Sequence, residues 1–96
     1  MGTVHRKKEG IWDWEGVEAR SYGESDSKGM TKRVLIGPDD GAQNFFMRFF
    51  EVPPGFSSAN EHHKEQHEVY IVTGKGEVLL GDSWHPFKES DIVYIP

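Results

Sequence analysis

The chain has 96 residues, of which 35% are apolar and 28% charged, with six Phe, three Trp and three Tyr. That length holds one domain at most and buries only a little over about 60% of the surface of the unfolded chain, so the core is either compact or completed by a partner. The aromatic content excludes a disordered chain, the polarity excludes a membrane protein, and sixteen acids against eleven Lys and Arg, with no basic stripe, give nucleic-acid binding no electrostatic footing.

Cysteine is absent, which excludes disulfides, thiolate zinc sites and Cys nucleophiles and favours a cytoplasmic address. No apolar run approaches a membrane span or a signal segment. Eleven Gly and five Pro cut the chain into short runs, and none sustains a helical period, so the reading is all-β.

In chain order, residues 1–16 form a polar arm whose Trp12 and Trp14 are suited to dock on a sheet. Strands are predicted over 17–22, 31–37, 43–52, 67–73, 76–81, 83–87 and 91–95, with a loop "GESDSKGM" between the first two. A tight hairpin is expected at Gly74-Lys75-Gly76 and another at Gly81-Asp82. Closely spaced strands of this kind make a sandwich or barrel, here a single domain over 1–96.

Side chains alternate between the faces of a strand. Over 43–52 this puts Phe45, Met47 and Phe49 on one face and Phe46, Phe50 and Val52 on the other, with Arg48 interrupting. Over 67–73, His67, Val69, Ile71 and Thr73 point one way and Glu68, Tyr70 and Val72 the other. Both strands are apolar on both faces, as expected of a strand buried between two sheets or lying at a two-fold homodimer interface.

Three of the five histidines lie within "EHHKEQH". On a strand, Glu61 and His63 share a face and His62 points away, while His67 opens the next strand after a short connection. Two imidazoles and a carboxylate converging from neighbouring strands suit Fe(II), Mn(II), Ni(II) or Zn(II) and leave positions open for water or substrate. The competing reading is a solvated polar turn.

The spacing Gly55, five residues, Glu61, one residue, His63, three residues, His67, six residues, Gly74 resembles the first motif of the cupin superfamily. The second cupin motif is matched by Ser90, the five residues "DIVYI" and Pro96, where the chain ends. The resemblance covers 43–96 and implies an antiparallel β-barrel of jelly-roll type, incomplete at its C-terminus, with Glu61, His63 and His67 as ligands of a divalent metal. Glu61 stands where the family usually has His, His67 where it usually has Glu, and Ser90 where it usually has a turn Gly. Carboxylate and imidazole both bind such metals, so the ligand chemistry survives the exchange. The family's last His would lie just beyond Pro96, which leads to the expectation of a fragment or of a partner that supplies what is absent.

An open-coordinate metal in an apolar barrel mouth can bind dioxygen or polarise an oxygen-bearing substrate, so dioxygenase, isomerase and decarboxylase chemistry on a small molecule are all within reach. The alternatives are a non-catalytic binding or sensor domain and a vestigial site, and the fold does not choose between them. Of the remaining residues, His85 reads as an exposed strand histidine, His5 as an inert residue of the arm, and Tyr70 and Tyr94 as packing aromatics rather than ligand-orienting hydroxyls.

Overall fold

The structure is a computed structural model that describes residues 2–21, 29–55 and 66–96. It divides into two compact units, Met1–Asn60 and Glu61–Pro96.

The first unit contains β1 (Ala19–Ser21), β2 (Thr31–Ile36) and β3 (Met47–Glu51), joined in one antiparallel sheet of order β1-β2-β3. β2 meets β3 with Thr31 opposite Glu51, Arg33 opposite Phe49 and Val34 opposite Arg48, and the register then shifts so that Ile36 faces Met47. That irregularity leaves Leu35 as the extra residue of a bulge. Past Ile36 the chain turns through Gly37 into a 3-10 turn, Pro38–Asp40, whose first position suits proline because the missing N–H has no partner to lose. The Asp40 carboxylate accepts a hydrogen bond from the Gly37 N–H at 3.0 Å and so closes the turn. Because β2 ends there, residues 43–46 have no strand to pair with. β3 is therefore shorter than the predicted 43–52, and Phe45 and Phe46 precede it with 87% and 55% of their surface exposed.

The arm folds back on itself before it reaches the sheet. Lys7 pairs with Trp14, the Lys8 N–H donates to the Asp13 carbonyl at 2.8 Å, and the Glu15 N–H donates to the Arg6 carbonyl at 2.9 Å. Its Trp side chains dock as expected: Trp12 stacks on Phe49 at 5.7 Å between ring centroids, and Trp14 meets the same ring edge-on at 5.1 Å. Beside them Asp13 takes Nε–H of Arg33 at 3.1 Å and the Lys8 ammonium at 2.9 Å, while Arg33 Nη1 donates to Glu51 at 2.6 Å. Lys8 first and Arg33 second hold the Asp13 carboxyl below its ordinary value. Among the described residues Met30 is the fully buried hydrophobic side chain, at 1% exposure.

The second unit contains β4 (His67–Tyr70), β5 (Lys75–Leu80), β6 (Ser83–Lys88) and β7 (Ile92–Ile95) in two antiparallel pairs, β4-β7 and β5-β6. The hairpin expected at Gly81-Asp82 forms, with Leu80 opposite Ser83 and Gly81 at φ 63°, a conformation open to glycine at the first position of a two-residue turn. Across this hairpin Gly76 faces Phe87, Val78 faces His85 and Glu77 faces Pro86. The hairpin expected at Gly74-Lys75-Gly76 does not form. Lys75 already belongs to β5, Gly74 precedes it at φ 90°, and β4 pairs instead with β7, so that the β5-β6 hairpin is an excursion between two paired strands.

β6 reaches β7 through a turn at 88–91. The Asp91 N–H donates to the Lys88 carbonyl at 3.0 Å, the Lys88 N–H donates to the Asp91 carboxylate at 2.8 Å, and Ser90 sits at φ 73°. This is the third position of a β-turn that ordinarily selects Gly. The serine takes up the glycine conformation rather than abolishing the turn.

Candidate functional site

Glu61 and His63, and with them His62, lie outside the described residues. His67, the remaining member of the set, opens β4 opposite Ile95. Residues directly opposed in an antiparallel pair share a face, so His67 and Ile95 lie on the same side of the β4-β7 sheet as Val69 and Val93. All four are half-buried, whereas Glu68, Tyr70, Ile92 and Tyr94 on the opposite side are exposed. The alternation read from the sequence therefore holds, with His67 on the more enclosed face. Among the described residues no three His, Asp or Glu side chains gather into a metal-binding group.

An open concavity of about 260 Å³ lies within the second unit, lined from the β5-β6 hairpin by Val78, Leu80, His85, Pro86 and Phe87 and from the β7 side by residues 91–94. Val93 belongs both to this lining and to the face that carries His67. His85 is exposed, as expected of it, but it stands on the concave side of its hairpin opposite Val78. Its imidazole and the Asp91 carboxyl bring polar groups to a lining that is otherwise mostly apolar. Tyr70 lies on the face away from His67 and is 60% exposed. Trp12 and Trp14 pack on Phe49, and the Lys7 ammonium lies 4.9 Å over the Trp12 ring.

His5, read as inert from the sequence, has partners on both sides of its ring. Nδ1 lies 3.1 Å from the Glu15 carbonyl oxygen and Nε2 lies 2.6 Å from Asp40 Oδ1. The Asp40 hydrogen bond first, and the Glu15 carbonyl second, raise the imidazole above its ordinary value of 6.5. The Asp40 carboxyl is lowered, chiefly by the Gly37 N–H and then by His5. The sequence carries no local signal for this contact, because the partners are ten and thirty-five residues away.

No helix among the described residues is long and apolar enough to cross a membrane. Comparison with known proteins matches residues 48–96 to the family described as "Cupin domain". The chain is 33% identical over 86 residues to 1-methylthio-D-xylulose 5-phosphate methylsulfurylase of Rhodospirillum rubrum, covering 86% of this chain and 54% of that protein. It is 31% identical over 55 residues to (S)-ureidoglycine aminohydrolase of Arabidopsis thaliana, covering 56% of this chain and 18% of that protein. The chain thus spans about half the length of the first relative and under a fifth of the second. No solved structure matches. With the motif spacing, the all-β antiparallel strands and the matched domain in agreement, the chain belongs to the cupin superfamily.

Proposed function

We propose that this cupin binds a divalent transition metal through Glu61, His63 and His67 and uses it on a small polar molecule held in the adjoining concavity. The observation that carries the reading is Val93, which joins the half-buried face bearing His67 to the lining of the concavity that contains His85. A carboxylate and two imidazoles suit Fe, Mn, Ni or Zn and leave coordination positions open. Bound there, such an ion supplies Lewis-acid polarisation of an oxygen-bearing substrate or a site for dioxygen. The chain's own contribution is a largely apolar wall that limits water and an imidazole, His85, in reach of that wall to bind or orient a polar substituent. Both relatives bear the names of enzymes, which favours an enzyme over a purely binding domain; oxidoreductase, isomerase and decarboxylase chemistry all remain within reach of such a metal.

Elemental analysis after metal loading tests this directly. The parent chain and His62→Ala should bind one ion per chain, His63→Ala should lose stoichiometric binding, and occupancy of the parent should fall as pH drops through about 6.5, where the ligating imidazoles protonate. Equal loss from both substitutions, or no binding by the parent, rejects the metal centre.

A further inference from the structure

The arm is tied to the rest of its unit by two kinds of contact. One comprises the stacking of Trp12 and Trp14 on Phe49 and the Asp13–Arg33 ion pair, which keep their character across neutral pH. The other is the His5 ring, which bridges the arm's own loop and the 3-10 turn. Both oxygens that it meets are acceptors only: a main-chain carbonyl at Nδ1 and an ionised carboxylate at Nε2. A neutral imidazole carries a single N–H and can satisfy only one of them, leaving a nitrogen lone pair against an oxygen lone pair at the other. The imidazolium donates to both.

The residue bearing each acceptor also has a backbone partner. Asp40 ends the 3-10 turn and its second oxygen is engaged by the Gly37 N–H. The Glu15 carbonyl is positioned by the Glu15 N–H bond to Arg6 and by the Lys7–Trp14 bridge. The fold therefore presents two acceptors to one ring that can serve both only when protonated.

We infer that His5 is a proton-operated clasp for the N-terminal arm, tying residues 5–15 to the 3-10 turn as an imidazolium and releasing that tie when the proton leaves. The charged group facing the ring from the turn is Asp40, and the group facing it from the arm is the Glu15 carbonyl. Asp40, with its carboxyl lowered, stays ionised throughout the range in which His5 titrates. Since the imidazole of the docked arm is raised above 6.5, the tie is complete below 6.5 and is lost as pH rises through the higher folded-state value. Release frees the His5 end of the arm first, because Trp12, Trp14 and Asp13 retain their own contacts with Phe49 and Arg33.

The test follows the His5 ring resonances and the exchange of the Glu15 amide in the 96-residue chain by NMR between about pH 5.5 and 8.5, with exchange corrected for its intrinsic pH dependence. His5 should titrate above 6.5. Protection of the Glu15 amide should fall across that titration by about tenfold for each unit of pKa elevation, while the amides of β2 and β3 keep theirs. Asp40→Asn should return the His5 midpoint toward 6.5, and His5→Gln should make Glu15 protection independent of pH. The inference is overturned by a His5 midpoint at or below 6.5, by Glu15 protection that is unchanged after His5 has titrated, or by the same pH dependence in His5→Gln.

Discussion

Replacing Gly76 by Ala should destabilise the second unit, although the backbone there is not of the left-handed kind that excludes alanine. Gly76 lies directly across the β5-β6 pair from Phe87, and a Cβ built on it would stand 2.7 Å from Cζ of that ring, with Cε1 and Cε2 at 3.3 and 3.4 Å. Carbon atoms rest about 3.5–4.0 Å apart, so the ring has to retreat by about 1 Å. Phe87 is half-buried and lines the concavity beside Val78 and Leu80, so its retreat disturbs packing. Overpacking of this kind costs about 1–3 kcal/mol, against which the stiffer unfolded chain of an alanine variant returns about 0.4–1 kcal/mol. The net loss is about 1 kcal/mol, or a fall in Tm of about 4–8 °C for a domain of this size. Urea unfolding followed by far-UV circular dichroism measures it, in the parent and in a Phe87→Leu background, where the atoms in the clash are gone. In that background Gly76→Ala should become neutral or stabilising. An equal loss in both backgrounds, or a gain in the parent, refutes the idea that the ring rests on the glycine.

At the 88–91 turn, Ser90→Gly should be more stable than Ser90→Ala by about 1 kcal/mol, since both lose the hydroxyl and only Gly accepts φ 73° without strain; equal stabilities would show that the turn imposes no such demand. We further propose that the chain pairs as a homodimer through the face of β4-β7 away from His67, where Tyr70, Ile92 and Tyr94 are 60%, 75% and 51% exposed and where Ile92 and Tyr94 also border the concavity. Light scattering should give twice the chain mass for the parent and a monomer for Ile92→Glu, and a parent that stays monomeric at high concentration rejects the interface.

The seven strands among the described residues were legible in the sequence because period-2 alternation and turn residues are local signals, and the Gly81-Asp82 hairpin follows from them alone. The partner of β4 was not legible. A Gly-Lys-Gly segment between two apolar runs reads as a hairpin until Val93 and Ile95 compete for the same edge, and that competition is settled by contacts some twenty-five residues apart in sequence, as in Val69 opposite Val93. The length of β3 was misread for a related reason: its apolar run continues back to Phe45, but β2 turns away at Gly37 and supplies no partner. Period-2 alternation indicated the face of β4 that carries His67, whereas His5 could not be distinguished from a surface histidine because its acceptors are assembled only by the folded arm and the 3-10 turn.

Pro86 has a consequence for what the protein avoids. In a two-residue hairpin the closing pair, here Leu80 and Ser83, is hydrogen-bonded, and bonded and non-bonded pairs then alternate along the ladder. Counting from that pair, Glu77 and Pro86 are non-bonded, so the nitrogen of Pro86 is aimed away from β5, toward the side of β6 that pairs with no strand among the described residues. The β5-β6 ladder loses nothing to the missing N–H. A foreign strand approaching that side meets a ring carbon where it needs a donor, which makes this edge a poor template for cross-chain strand addition and protects the protein against aggregation where the β6 backbone would otherwise invite it.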